Sequence, residues 1–304
     1  MRNKLALLAL ASGVFIMSAC NYNYVKTDTG LLYKIFNKGS KKLEPNHWLK
    51  VHYSEALGDS VLYSTFEHMP VYGRHDTSLR NQHHFVDFMD AMKIGDSAVF
   101  VRSVDTLVKR GQLMYNEVFK KGQTIKGKLV ILGMFDTQEA MQEDQAKETE
   151  LEKEKEIAGL EKYLQDKKIT NAQRVGKGVL VVVDKPGTGI AADSGDQVKV
   201  MYTGYLKNGS KFDSNMDSSF YHTDPFVFTL GTNAVIQGWD EGLRTMKQGT
   251  KARLFIPAML AYGPQSQGEK LPSFSDLIFE VELLEVTKGG NAPAEPKAPG
   301  AGGQ

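Results

Sequence analysis

Between residues 171 and 288 apolar and polar side chains alternate in short runs, "DQVKVMYTGYL", "PFVFTL", "KARLFIP" and "SDLIFEVELLEV". A two-residue period buries one face of a strand, so these runs predict four antiparallel strands with an apolar side to cover. The stretch "LGTNAVIQGWDEGLRTMKQGTKARLFIP", residues 230–257, has a different period. There Val235, Ile236, Trp239, Leu243 and Met246 recur at helical spacing, with Thr232 and Asn233 as cap candidates and Gly249 as the stop. One helix laid on one antiparallel sheet predicts an α+β domain.

The pattern occurs twice. "GLLYKIFNKG" (30–39) matches "GVLVVVDKPG" (178–187) at an offset of 148, and "VHYSEAL" (51–57) matches "VMYTGYL" (200–206) at 149. "MKIGDSAVFV" (92–101) matches "MKQGTKARLF" (246–255) at 154. Three collinear matches, drifting as loop insertions would make them drift, predict a duplicated domain at 20–136 and 171–288. A chain of 304 residues suits two domains at roughly 150 residues each.

Between the copies, residues 137–170 contain no proline and many Glu and Lys, with pairs such as Glu143 and Lys147. Strong helix formers predict a long charged helix joining the domains. Its apolar residues sustain no heptad through the first half, and Ile157, Leu160 and Leu164 make only a short stripe. A solvated spacer whose end docks on the second domain fits better than a coiled coil, and a dimer through 137–170 stays open. The Gly/Pro/Ala-rich tail 289–304 predicts disorder.

The N-terminus has Arg2 and Lys4, an apolar run from Leu5 to Met17, then "SAC". A run of thirteen residues is too short for an ordinary spanning helix, so residues 1–19 read as an export signal. Cys20 is the only cysteine and follows Ser18 and Ala19. This string resembles a bacterial lipoprotein cleavage box, and the resemblance implies lipidation of Cys20. It predicts a protein of the bacterial cell envelope, anchored by lipid in the outer membrane and facing the periplasm. Lys and Arg (37) nearly cancel Asp and Glu (36), which gives no electrostatic pull toward nucleic acid.

"VMYTGYLKNGSKFDSN", "PFVF", "VIQGWDEGL", "MKQGTKARLFIP", "AYGP" and "LIFEVELLEV" follow in this order across residues 176–287. Together they resemble the FKBP-type peptidyl-prolyl isomerases, although Trp239, Phe228 and Phe279 taken singly read as core aromatics. The resemblance implies a half-barrel antiparallel sheet wrapped around one short helix, with an aromatic pocket for a substrate proline. It implies Trp239 as the pocket floor, Tyr202, Phe226 and Phe279 as walls, and Phe212 closing one side. Val235 and Ile236 form the lip, with the Ile236 N–H as a donor to the ligand. Tyr262 is implied as the hydroxyl donor, Asp213 as the pocket carboxylate and Leu271 as an apolar contact. No cofactor and no metal are implied. Partners are X–Pro segments of unfolded or exported proteins and a macrolide inhibitor.

The chemistry needs no nucleophile. Rotating an X–Pro bond disrupts amide resonance, against a barrier of about 18–20 kcal/mol, and no bond is made or cut. The planar amide is the more polar form, so a water-excluding apolar pocket favours the twisted transition state. Moving from roughly 10–100 s per event to about 100 per second needs only about 5 kcal/mol.

Three features depart from the family pattern. Residues 214–224, "SNMDSSFYHTD", lack the arginine that often holds the pocket aspartate, Ala234 replaces a frequent glutamate, and Lys270 stands where an apolar residue is common. In the first copy Tyr53 and Tyr63 match Tyr202 and Phe212, and Phe85 falls on Trp239. Ser64 replaces the aspartate, while Asn81 and Gln82 replace the apolar lip, which predicts a degenerate copy without isomerase activity. His83, His84 and His75 follow no metal-ligand spacing. The sequence therefore predicts a prolyl isomerase assisting exported proteins. The alternative is a peptide-binding chaperone or envelope scaffold with little isomerase activity.

Overall fold

The computed structural model describes residues 23–268 and 270–289; the signal segment 1–19, Cys20 and the tail beyond Gly289 lie outside them. By packing, the described residues of 1–46, 54–62 and 75–133 form one compact unit, and those of 47–53, 63–74 and 134–304 form another.

The first antiparallel sheet contains β1 (Val25–Lys26), β2 (Leu32–Phe36), β3 (Trp48–Leu57), β4 (Ser60–Ser64), β5 (Val71–Arg74), β6 (Ser97–Ser103) and β7 (Thr124–Phe135). The second contains β8 (Gln173–Val175), β9 (Val179–Lys185), β10 (Gln197–Leu206), β11 (Lys211–Ser214), β12 (Phe226–Thr229), β13 (Lys251–Ile256) and β14 (Leu277–Thr287). Strand order is β1-β2-β6-β7-β3-β4 in one and β8-β9-β13-β14-β10-β11 in the other, with β5 and β12 paired to β3 and β10. The two sheets have the same topology, so the repeat read from three short strings extends through all seven strands. The chain is α+β, as its periodicity predicts.

In the second sheet Leu254 on β13 and Gly204 on β10 both lie opposite Phe279 on β14, and Ala252 and Tyr202 both lie opposite Val281. The inward residues Val179, Val181, Val198, Val200, Leu254, Phe279, Val281 and Leu283 form one buried core. Helix α3 (Gln237–Leu243) closes that core with Trp239 and Leu243. The helix sits close because Gly238 and Gly242 face β13. A Cβ at 238 would overlap Ile256, and one at 242 would come within 2.8 Å of Leu254 Cδ2.

The cap expected at Thr232 and Asn233 is not where α3 begins. Ile236 occupies the N-cap position and supplies no side-chain bond, while the Thr232 hydroxyl donates to the Thr229 carbonyl. The helix also ends earlier than expected, with Arg244 as C-cap, and Gly249 instead turns the chain into β13 at φ +89°. Val235 and Ile236 thus precede the helix, and burial of an apolar lip has displaced a polar cap.

The run "VLVV" at the start of β9 is apolar throughout because both faces of the sheet are covered there. Leu180 and Val182 on β9, with Phe255 and Ile278, pack under Leu160 and Leu164 of α2 (Gln138–Asp166). Thr137 caps this helix by accepting from the Ala140 N–H. The stripe expected from Ile157, Leu160 and Leu164 is buried within its own unit, which leaves it unavailable to a coiled-coil partner.

In the other unit a helix, α1 (Val104–Lys109), follows β6, but the segment aligned with α3 forms two 3-10 turns, Phe85–Asp87 and Met89–Ala91. The Asp87 carboxylate accepts from the backbone N–H groups of Gln82 and His83 and from the Thr29 hydroxyl, and Asn81 and His83 take left-handed backbone angles. Side-chain bonding to the backbone competes with helix formation here. His83 accepts from the Ser103 N–H through Nε2, and His75 Nε2 pairs with Asp90 at 3.0 Å. Among the described residues no group of His, Cys, Asp or Glu has the geometry of a metal site.

Glu156 of α2 reaches under the turn that follows β13, where Asp276 also accepts from the Ala258 N–H. Glu156 Oε2 accepts from the Met259 N–H at 2.8 Å, and its Oε1 is buried without a partner. Burial pushes this carboxyl up from 4.5 to about 8, against the Met259 hydrogen bond and with help from the charges of Asp276 and Glu152. A carboxyl raised on folding contributes stability that is full below the unfolded value and is lost as pH rises through the folded one. Thermal denaturation should therefore show stability falling between about pH 4.5 and 8. Glu156→Gln keeps an acceptor for Met259 and should abolish most of that decline, an effect on the order of a few kcal/mol.

Candidate functional site

Tyr202 stands on β10, Phe212 and Asp213 on β11, Phe226 on β12, Trp239 on α3 and Phe279 on β14. With Ala234, Val235 and Ile236 ahead of α3 and Tyr262 beyond β13, they line one cavity of about 210 Å³. All the residues predicted for the pocket meet there except Leu271, which lines a neighbouring cavity with Phe212, Asp213 and Tyr262. Ala234, read in the sequence only as a departure, joins the lip.

The cavity is a box of rings set edge to face. Trp239 meets Tyr202 at 5.1 Å and 83° and Phe279 at 5.1 Å and 87°; Phe212 meets Phe279 at 5.5 Å and 87°. Edge-on packing pairs the positive rim of one ring with the negative face of the next and fixes their angles. Trp239 and Phe279 are buried floor and wall, whereas Phe226 and Tyr262 are exposed at 37% and 38% and form the rim. Gly204 permits the closest contacts, since a Cβ there would come within 2.5 Å of Phe212 Cζ and 2.9 Å of Phe279 Cε1. Drug-sized ligands usually occupy roughly 300–1,000 Å³, so this smaller space suits one compact side chain and its flanking amide.

Polar groups sit at one side of the box. Asp213 Oδ2 accepts from the Tyr202 hydroxyl at 2.7 Å, and Oδ1 accepts from the Ser214 N–H at 2.9 Å. His222 Nε2 lies 2.8 Å from the same Oδ1. The carboxylate is thus held on three sides and has no role as a free base. Burial and then the Asp213 hydrogen bond raise the Tyr202 phenol; burial and then the Asp213 charge raise the Tyr262 phenol. Both hydroxyls stay protonated at neutral pH. The Tyr202 proton is committed to Asp213, and the Tyr262 hydroxyl makes no hydrogen bond among the described residues. Trp239 Nε1 is buried with no partner, at a typical penalty of about 1–3 kcal/mol, which the aromatic packing must offset.

His222 was not visible as a site residue by comparison of strings, because the pattern calls for arginine and the segment holds none. The signal was chemical: His222 is the only basic side chain in 214–224. The loop is built to deliver it. Buried Asn215 donates to the Val200 and Asp224 carbonyls, Asp217 caps the turn Ser218–Phe220, and Tyr221 takes φ +60° immediately before His222.

The site is thus a small aromatic box with one uncommitted hydroxyl at its rim. Residues 189–284 match the model of the FKBP-type peptidyl-prolyl cis-trans isomerases. An FK506-binding protein of Neisseria meningitidis serogroup A is 46% identical over 110 residues, 36% of this chain and 97% of the relative. The peptidyl-prolyl cis-trans isomerase FKBP2 of Mus musculus is 43% identical over 99 residues, 33% of this chain and 68% of the relative. A solved peptidyl-prolyl cis-trans isomerase from Pseudomonas syringae pv. tomato is 32% identical, covering 44% of this chain and 96% of its own, with a TM-score of 0.38. The chain belongs to the FKBP-type peptidyl-prolyl cis-trans isomerases.

If His222 holds Asp213 as a cation would, His222→Ala should lower kcat/KM for an X–Pro peptide several-fold. His222→Arg, which can grip the carboxylate with two N–H groups, should restore most of it. Equal loss in both variants, measured by NMR exchange on one peptide, would assign His222 to loop packing alone.

Proposed function

We propose that residues 171–288 isomerise X–Pro bonds in the Trp239 box and do so for exported proteins in the bacterial envelope. The observation that carries this reading is the set of edge-on rings around a space sized for proline, with the Tyr262 donor at its rim. Proline enters ring first and contacts Trp239, Tyr202 and Phe279, and the box excludes water from the adjoining amide. Twisting that amide localises the nitrogen lone pair and lessens charge on the carbonyl oxygen, so desolvation disfavours the planar ground state more than the transition state. The Tyr262 hydroxyl donates to a carbonyl of the bound chain, and the Ile236 N–H, at the lip, is the second donor. Val235 and Phe226 hold the flanking residues, and Leu271 extends the apolar wall. Asp213 orients Tyr202 and takes no proton.

The remaining assignments follow the same reading. Residues 1–19 direct export, Cys20 carries lipid, and the first repeat, with Ser64 in place of the aspartate and Asn81 and Gln82 in place of the lip, contributes binding without turnover.

Two measurements test this. In an X–Pro exchange assay on the chain from Asn21 onward, Trp239→Leu should lower kcat/KM at least tenfold. Tyr262→Phe should lower it about three- to tenfold, the range for one lost hydrogen bond; full activity in both would move the site elsewhere. For the anchor, Cys20→Ser should shift the expressed protein from the membrane to the soluble fraction, and no shift would refute lipidation.

A further inference from the structure

Beside the proline box lies a second cavity of about 470 Å³, lined by Phe212, Asp213, Tyr262, Gln267, Lys270 and Leu271. It shares Phe212, Asp213 and Tyr262 with the box, so a chain whose proline fills the box must pass an adjoining residue across it. Two charged side chains face this space, and their states differ. Asp213 already has hydrogen-bond partners in the Tyr202 hydroxyl, the Ser214 N–H and His222. Lys270 has no carboxylate partner among the described residues; its ammonium lies 5.4 Å from the centroid of the Phe220 ring.

The turn that carries Lys270 is fixed by local bonds. Gln267 N–H donates to the Leu271 carbonyl, Leu271 N–H to that of Gly268, and the Ser266 hydroxyl to that of Leu271. Leu271 is buried, so the turn is pinned at its apolar side, and Lys270, at the cavity's edge, is exposed. Lys270 itself lines the cavity, and the Phe220 ring of the 215–224 loop, under its ammonium, limits where that charge can swing.

We propose that Lys270 makes this isomerase select prolines that have an acidic residue next to them. The proposal rests on the reading of the Trp239 box as the isomerase site. A carboxylate placed in the cavity meets the ammonium against the apolar sides of Phe212 and Leu271, where water is partly displaced and screening is weaker than in bulk. It also finds the Gln267 amide as a hydrogen-bond donor. A basic residue in the same place meets Lys270 as a like charge. Two unit charges roughly 7 Å apart at an effective dielectric between about 20 and 80 give a discrimination of about threefold to about fiftyfold between an acidic and a neutral neighbour.

The test is kcat/KM for two peptide series on the chain from Asn21 onward, with Glu, Leu or Lys placed before the proline in one and after it in the other. Wild type should favour Glu over Leu about fivefold and disfavour Lys in at least one series, and 0.5 M salt should shrink the difference. Lys270→Met should bring the three peptides close together, and Lys270→Glu should reverse the order. An order that is the same in wild type, Lys270→Met and Lys270→Glu, or that survives high salt, would overturn the proposal while leaving the isomerase site intact. Turnover of no peptide, or turnover indifferent to Trp239→Leu, would instead overturn the isomerase-site reading on which the proposal stands.

Discussion

How closely a seven-residue helix can approach its sheet decides the rest of this site. Gly238 and Gly242 remove the two side chains that would hold α3 off Ile256 and Leu254, and Trp239, lying between them in sequence, is thereby lowered among Tyr202 and Phe279. With any Cβ at those positions the indole would ride higher and the box would lose its floor. Gly204 has the same function from the sheet side, where it lets Phe212 and Phe279 meet edge to face. Three absent side chains therefore shape the space that the aromatic ones enclose.

The polar part of the site is static by design. A carboxylate in a pocket invites a reading as general base, yet each oxygen of Asp213 is already engaged, and burial, followed by Asp213, keeps the Tyr202 and Tyr262 phenols protonated. The arrangement fits a reaction in which no proton moves and no bond is cut. What such a reaction needs is a fixed field and the exclusion of water, and both come from packing.

Much of this was legible in the residues. The alternation in β10, β12, β13 and β14 gave their faces, and the spacing of the repeats foretold two sheets that turn out to share one strand order. The predicted pocket residues converge because each lies on an element whose register is fixed by burial, with Leu271 one cavity away. What stayed hidden depended on tertiary context. Thr232 and Asn233 look like caps, but Ile236 takes that place because the lip must be apolar. His222 is hidden in the sequence because imidazole stands where the family pattern has arginine, and it reaches Asp213 directly after the left-handed Tyr221. The uniform apolarity of β9 could not by itself say that a distant helix covers the back of the sheet.

That helix has a consequence for what counts as the domain. The Neisseria meningitidis relative is matched over 97% of its length by 110 residues of this chain. In this chain Leu180, Val182, Phe255 and Ile278 are roofed by Leu160 and Leu164, from a segment that precedes the matched residues. A protease cut or a gene truncation at the residues between α2 and β8 would leave every catalytic group in place and yet bare an oily surface on the far side. In this chain the folded unit is therefore longer than the matched module, because the back of its sheet belongs to a core shared with α2.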